Sequence, residues 1–253
     1  MSTVLSLADR LRTAGCVFAE DEAALLTAEA GSPDELEAMV VRRIAGEPLE
    51  QILGWAEFRG LRIVVEPGVF VPRRRTEFLV EQAAALVRPD DVVVDLCCGS
   101  GAIGAALRAA CDSIELYAAD LDPAAVRCAR RNLGDVVYEG DMYAALPSDL
   151  RGRVRVFVAN VPYVPTEAVG MMPPEARDHE ARMALDGGSD GLDLLRRYAA
   201  GAPDWLVAGG YALVETGTDQ VPAAVEAFTA AGLTPRVVTS DEYAATVLIG
   251  TLA

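Results

Sequence analysis

The sequence predicts an α/β fold, a parallel sheet covered by helices on both faces, with a small helical segment ahead of it. Three observations predict it. From Thr76 on, short apolar runs alternate with amphipathic helical stretches. The runs, "DVVVDL" and "VRVFVAN" among them, are almost continuously apolar, as strands buried on both faces must be. A Gly-rich turn joins the first of these runs directly to a helix, which places a ligand crevice at the strand's carboxyl end.

Residues 1–55 read as a helical domain of three short helices. Leu5, Leu7, Ala8 and Leu11 lie near helical spacing, and Gly15 ends that run. Asp21 to Ala30 is a second helix. The third, "SPDELEAMVVRRIAG", opens on Ser32 as N-cap with Pro33 at its first position, and stops at Gly46. "EFRGLRIVVEPGVFVP" alternates and carries Gly60 and Pro67-Gly68, so residues 56–72 read as a linking β-hairpin. Residues 73–253 form the α/β domain. It opens with the helix "TEFLVEQAAALV" and the strand "DVVVDL", then the helix "AIGAALRAA". The strand "IELYAAD", the helix "PAAVRCARRNL" and the strands "VVYEGD" and "VRVFVAN" follow. After a helix around "GLDLLRRYAAGAPDWL" come "GGYALVET", "QVPAAVEAFTAAG", "TPRVVTS" and "YAATVLIGT". The last two, close together in sequence, predict an antiparallel hairpin at the sheet edge.

Composition narrows the function. The net charge is −16, from 22 basic and 38 acidic residues. Such a surface repels phosphate backbones, so no direct nucleic-acid partner is expected. "PRRR" at Pro72 to Arg75 is the only obvious basic cluster. The five cysteines (Cys16, Cys97, Cys98, Cys111 and Cys128) form no CxxC pair, and His179 is the single histidine, so no metal site is expected. The odd cysteine count and the amphipathic start fit a reducing, cytoplasmic setting. No apolar run reaches the roughly 18 residues of a membrane span, so no membrane partner is expected. His179 reads as a loop histidine, and "LDGGSDGL" as a tight turn with a helix cap at Asp190. The segment after Tyr163, with Met171, Met172, Pro173 and Pro174, reads as a lid or a covering loop.

The first chemical motif is "VVVDLCCGSGAIGAAL" at Val92 to Leu107. Gly99 and Gly101 let a ligand approach the backbone, and the following helix turns free N–H groups toward the turn. "GSGAIG" matches a dinucleotide fingerprint, a weak signal alone. Asp120 ends the next strand, where a carboxylate can accept both hydroxyls of a ribose, with Leu121 beside it. Asp95, just before the glycines, suits the cationic amino acid end of S-adenosylmethionine (SAM) and would repel a pyrophosphate. In "EGDMY", Asp141 is placed to bond an adenine amino group and Met142 to lie against its ring. Cys97 and Cys98 read as loop fillers rather than nucleophiles.

The second motif is "ANVPYVP" at Ala159 to Pro165. Asn160 ends a strand beside the Gly-rich loop. Its side-chain oxygen and the carbonyl of Val161 are two acceptors close together, and Pro162 restricts the backbone before it. Two acceptors suit an NH2 group, and Tyr163 can stack on a planar amide or base. The expected chemistry is methylation of a planar amino group held in line with the SAM methyl.

These motifs resemble the Asn-Pro-Pro-Tyr signature of amino-group methyltransferases. Nearly the whole chain resembles the HemK/PrmC family, the protein-(glutamine-N5) methyltransferases acting on peptide chain release factors. "GEPLEQILGWAEFRG" resembles the family's segment between helical domain and hairpin, and "VFVPRRRTEFLVE" its Ile-Pro-Arg-Pro-Glu-Thr-Glu segment. "VVDLCCGSGAIGAAL", "EARMALDGGSDGLDLLRRY" and "GGYALVETGTDQ" resemble its SAM loop and later segments. The resemblance implies a Rossmann-like class I SAM-dependent methyltransferase fold. It implies that Cys97, Cys98, Gly99, Ser100 and Gly101 line the methionine part of SAM, that Asp120 holds the ribose, and that Met142 contacts adenine. Asn160, at the cofactor as well, and Val161 would hold the substrate amide, with Pro162 and Tyr163 shaping its slot. It implies a release factor as partner, gripped with the help of the helical domain, and a monomeric enzyme.

The chain departs from the family pattern in places. Val161 replaces the first Pro of the signature, Arg74 and Arg75 replace Pro and Glu, and Cys97 and Cys98 replace small residues. The chain is therefore identified as a divergent member or paralogue. Three alternatives stay open: another protein or small-molecule amide or amine as substrate, adenine in a nucleic acid, and a catalytically silent SAM-binding paralogue.

Overall fold

The computed structural model describes residues 6–253. The expectation for Met1 to Leu5 therefore lies outside the described residues. The helical segment holds α1 (Leu7–Thr13), α2 (Ala19–Glu29), α3 (Pro33–Ile44) and a short α4 (Leu49–Leu53). Ser32 caps α3 as expected, accepting from Glu35 N–H at 3.2 Å. The fourth helix is the addition to the three expected ones. It is a five-residue helix ended by Gly54 at φ +79°, too short for its periodicity to show in sequence. Leu11, Leu26, Met39, Val40 and Ile52 form a core of their own among these helices.

The hairpin pairs β1 (Trp55–Phe58) with β2 (Leu61–Val64). Arg59 and Gly60, at φ +50° and +76°, make the two-residue turn that such a hairpin favours. The expected strand through Pro72 stops at Val64. Pro67 has no N–H to donate and Gly68 takes φ +82°, so residues 65–72 run as irregular backbone toward the sheet.

The sheet is built from β3 (Val92–Leu96), β4 (Glu115–Asp120), β5 (Val137–Glu139), β6 (Val154–Ala159), β7 (Leu206–Glu215), β8 (Leu233–Ser240) and β9 (Ala245–Leu252). The spatial order is β5-β4-β3-β6-β7-β9-β8. The five strands from β5 to β7 are parallel, and β9 enters antiparallel between β7 and β8. That is the antiparallel edge expected from the sequence. One face of the sheet is covered by α5 (Thr76–Ala84), α6 (Ala102–Ala110) and α7 (Pro123–Leu133), the other by α9 (Asp193–Gly201) and α10 (Val221–Ala230). Strand β3 shows why both faces are apolar: Val93 joins one core, while Val92, Val94 and Leu96 join the other.

Chain order reverses beside β3. The chain steps from β3 outward to β4 and β5, then returns to lay β6 on the other side of β3. This is the switch point where an open α/β sheet has its crevice. Leu96 pairs with Ala159, so the residues that follow them, Cys97 and Asn160, lie level at the crevice. Among the described residues no helix is long and apolar enough to cross a membrane.

Candidate active site

A cleft of about 1330 Å³, counted with its open mouth, lies over the carboxyl ends of these strands. Both sequence motifs line it. From the first come Cys97, Cys98, Gly99 and Ser100, and from the second Asn160, Val161, Pro162 and Tyr163. Asp120, Leu121, Asp141 and Met142 also line it.

The loop after β3 explains its residues one by one. Cys97 takes φ +56°, a left-handed conformation that a non-glycine residue adopts at a cost. Gly99 takes φ +55°, and a Cβ placed on it meets nothing, because it faces the cleft. Gly101 is different. At φ +79° it starts α6, and a Cβ there stands 2.8 Å from Leu133 Cδ1, inside the contact of α6 with α7. The first glycine keeps room for a ligand and the second lets two helices close on each other. Burial pushes both thiols, Cys97 and Cys98, far above their ordinary range, with the Asp95 and Asp120 carboxylates adding to the effect. They are uncharged fillers, as expected.

Asp120 Oδ2 accepts from Gly99 N–H at 2.8 Å and Oδ1 from Asp122 N–H at 2.9 Å. Burial raises this carboxyl, and the two N–H groups oppose the rise. Each oxygen has a second lone pair, and the residue lines the cleft. The strand-end carboxylate thus ties the glycine loop to β4 at the wall of the cleft. Asp141 pairs with Arg197 at 2.7 Å, and both line the cleft beside the buried Met142, at φ +49°.

Asp95 stands elsewhere than expected. It is wholly buried and does not line the cleft. Its Oδ2 accepts from Gly104 N–H at 2.9 Å in the first turns of α6, and its Oδ1 has no partner. Burial pushes it up to about 7. The carboxylate therefore holds the helix behind the loop; it offers nothing to the amino acid end of a cofactor. Side-chain alternation is the reason, since Asp95 shares the face of Val93 beneath α6.

At the other end of the cleft, Asn160 Nδ2 donates to the Thr76 hydroxyl at 3.2 Å. Its Oδ1 is buried without a partner, and the Val161 carbonyl accepts nothing from the described residues. Buried polar atoms are nearly always paired, so the unpaired Asn160 Oδ1, followed in the chain by the free Val161 carbonyl, is open to an incoming donor. The backbone here is held firmly. Val164 exchanges bonds with Leu185 and Gly187, and Gln220 Nε2 donates to the Tyr163 carbonyl at 2.9 Å. The turn "LDGGSDGL" packs directly on it. A Cβ on Gly191 would stand 2.2 Å from the Tyr163 oxygen. Asp190 accepts from Leu192 N–H at 3.1 Å, a bond within the turn; the N-cap of α9 is Leu192, with no side-chain cap bond, so Asp190 is not the helix cap expected of it.

Four groups complete the site: Thr76 and Glu215, which the sequence does not single out, and Arg73 and Arg75, which it shows only as a basic cluster. Thr76, at the start of α5, holds the Asn160 amide. Glu215, at the end of β7, is 2% exposed and accepts from the Tyr163 hydroxyl at 3.1 Å and from Arg75 Nε at 2.8 Å. Arg75 also donates to the Tyr163 hydroxyl and lies over its ring. Arg73 meets the buried Glu180 at 2.7 Å. Burial raises both glutamates, and the arginines pull them back. A glutamate at the carboxyl end of a parallel strand was a readable signal, by the rule that found Asp120.

The segment after Tyr163 covers the cleft with Met172, Met183 and Leu185. It is anchored rather than loose. Its α8 (Pro174–His179) presents Glu175 to Arg43 of α3, which also binds Glu22. Gln51 donates to the His179 carbonyl, and His179 itself holds no place in the cleft.

The sequence model of the methyltransferase small domain matches residues 60–178. A release factor glutamine methyltransferase of Streptomyces coelicolor is 45% identical over 194 residues, 73% of this chain and 69% of its own. One from Geobacter sulfurreducens is 37% identical over 209 residues, 79% and 72% of the two chains. A 4-amino-L-phenylalanine/4-methylamino-L-phenylalanine methyltransferase of Streptomyces pristinaespiralis is 36% identical over 203 residues, 76% and 69%. A methyltransferase structure from Pyrococcus furiosus shares the fold, with a TM-score of 0.58 and 16% identity over 85% of this chain and 96% of that one.

Proposed function

The chain belongs to the release factor glutamine methyltransferase family, and we propose that it methylates the side-chain amide nitrogen (N5) of a protein glutamine, that of a Gly-Gly-Gln loop in a release factor. It is a SAM-dependent N-methyltransferase with a class I fold. The observation that carries the substrate reading is the unpaired Asn160 Oδ1 beside the free Val161 carbonyl.

When bound, SAM supplies a methyl group on a sulfonium, which leaves as a neutral thioether. The residues that fit it are the open backbone at Gly99, the inward face of Asp120, and Asp141 with Met142. Asp95 acts from behind, through Gly104. The chain does the rest by orientation. Asn160 Oδ1 and the Val161 carbonyl take the two N–H groups of the amide and turn its nitrogen toward the methyl. Positive charge grows on that nitrogen as the bond forms, two fixed acceptors stabilise it, and the methylated nitrogen then gives up one proton to solvent, which leaves a neutral N-methyl amide. An amide nitrogen is a weak nucleophile, so alignment does more than a base could. The Tyr163 hydroxyl is engaged by Glu215 and Arg75, which fixes the ring as a wall of the slot. Pro162 sets the direction of the Val161 carbonyl.

The chain acts in this reading as a cytoplasmic monomer, without nucleic acid or membrane. Residues 1–55 serve as the substrate-gripping domain, 56–72 as the linker and 73–253 as the catalytic domain. A second reading has one specific support: the pristinaespiralis relative, named for an aromatic amine, is 36% identical, within one percentage point of the Geobacter sulfurreducens release factor enzyme at 37%. An aryl NH2 fits the same two acceptors. The test is transfer of tritium from labelled SAM. A single methyl on the Gly-Gly-Gln glutamine of a release factor, located by mass spectrometry, supports the first reading. Label on 4-aminophenylalanine and none on the factor replaces it with the second.

A further inference from the structure

The charged lining of the cleft is divided by sign. The acidic residues, Asp120, Asp122 and Asp141, all follow β4 or β5 at the cofactor end, where Arg197 pairs with Asp141. At the substrate end the charged lining is Arg73 and Arg75. Their carboxylate partners, Glu180 and Glu215, have side chains only 0% and 2% exposed and do not line the cleft. The guanidiniums lie outside them, 34% and 46% exposed. Each pair therefore turns its positive end outward, in a chain whose net charge is −16. Arg75 stands closest to the slot. Its Nη2 donates to the Tyr163 hydroxyl, its Nε lies 2.8 Å from Glu215 Oε1, and its carbon centre is 5.2 Å from the Tyr163 ring. Its Nη1 makes no hydrogen bond among the described residues.

We propose that Arg75 is a specificity-determining residue that takes a carboxylate of the substrate close to the methyl-accepting nitrogen. A guanidinium has five N–H donors, and Arg75 directs one to Glu215 and one to Tyr163. The remaining N–H groups can meet a second carboxylate, the acceptor whose geometry matches them best. Tyr163 belongs to the same short loop as Asn160, and Thr76, the next residue after Arg75, holds the Asn160 amide. A carboxylate on Arg75 therefore lies within a residue or two of the nitrogen at Asn160. Glu215 and Tyr163 fix the guanidinium before the substrate arrives, which lowers the ordering cost of binding. Two sources carry this chemistry: an acidic side chain beside the glutamine of a protein segment, and the α-carboxylate of a free amino acid that bears the amine.

The inference rests on a methyl-accepting nitrogen entering at Asn160, and the experiment separates the two claims by reading binding apart from turnover. Calorimetric titration with S-adenosylhomocysteine present compares Asp-Gly-Gly-Gln, Gly-Gly-Gln-Asp and Gly-Gly-Gln-Ala-Asp peptides, capped at both ends, with their Asn counterparts. A second arm compares 4-aminophenylalanine with its carboxamide. In at least one pair the carboxylate form should bind wild type about 5- to 20-fold more tightly, the lower part of what a charge-assisted bond gives, because the guanidinium is half exposed. The arm in which this preference occurs identifies the source. Removing Arg75 alone would leave Glu215 buried without its cation, so Arg75→Gln is made together with Glu215→Gln. In this double variant the preference should fall to within about twofold, whereas Arg75→Lys should keep part of it. A merely structural Arg75 would weaken acidic and neutral partners equally. Equal binding of both forms to wild type, in both arms, or a preference that survives in the double variant, would overturn the proposal. So would binding of a short RNA strand that falls steeply with salt and is lost in the double variant, with no carboxylate preference, since the arginines would then be phosphate contacts. If the preference is found but no tritium passes from labelled SAM to a release factor or to 4-aminophenylalanine, the proposed function fails and the carboxylate site stands.

Discussion

On the cofactor side of the cleft the backbone does the holding. Asp120 spends one lone pair of each oxygen on Gly99 and Asp122 N–H groups, and Gly101 is packed against Leu133. On the substrate side the holding is done by charged side chains, Arg75 on Glu215 and Arg73 on Glu180, while Asn160 Oδ1 is left unpaired. A cofactor of fixed shape can be met by a preformed, hydrogen-bonded loop. A substrate that must be aligned for attack needs acceptors kept free until it arrives, and here buried carboxylates capped by half-exposed arginines stand around one such acceptor.

The largest expected effect tests the free acceptor. Asn160→Ala should lower kcat about 10³-fold, roughly 4 kcal/mol, with SAM affinity changed by less than about threefold. Tritium transfer and calorimetric titration give both numbers. Parallel loss of turnover and SAM affinity would erase the division between the two halves.

Next come the glycines of the cofactor loop. Gly101→Ala combines φ +79° with a Cβ 2.8 Å from Leu133. It should destabilise the fold by about 2–4 kcal/mol in urea unfolding. Gly99→Ala meets no protein atom. It should cost only about 1 kcal/mol of stability but weaken SAM binding by more. The reverse ranking in stability would show that the loop is packed the other way round.

Asp95 gives a smaller, pH-dependent effect. Burial pushes it up to about 7 from 3.8. A raised acid favours its protonated form in the folded state. The associated stability is full below the unfolded value and is lost as pH rises through the folded one. Asp95→Asn, which cannot ionise, should therefore match wild type near pH 4 and exceed it by about 1–3 kcal/mol near pH 8, allowing for the new buried N–H group. A gap that does not grow with pH would mean that Asp95 is not buried as described.

The smallest effect concerns the loop thiols. Cys97→Ala should keep kcat and SAM affinity within about threefold of wild type, because a thiol raised this far does no chemistry near neutral pH. Rapid alkylation of Cys97 near pH 8 would contradict this.

Most of the sheet was readable because its signals are local. Ser32 capped its helix, "VVVDL" and "VRVFVAN" became neighbouring strands, and the strand-end residues Asp120 and Asn160 reached the cleft. The reading failed where a residue's face mattered. Asp95 was assigned to the cofactor although alternation from Val93 turns it under α6. The strand past Val64 was lost to Pro67, which cannot donate to a ladder.

The sequence by itself determined the order of the elements, the Gly-rich turn at a strand end and the Asn followed by Pro and Tyr. These depend on residues within a few positions of one another, where periodicity and turn chemistry act. Only the tertiary structure decided the partners: Thr76 for Asn160, 84 positions away, and Glu215 for Tyr163, 52 away. A buried donor or acceptor takes whatever the fold brings within about 3 Å. That choice is made by how β6, β7 and α5 pack, and no local pattern in the chain encodes it.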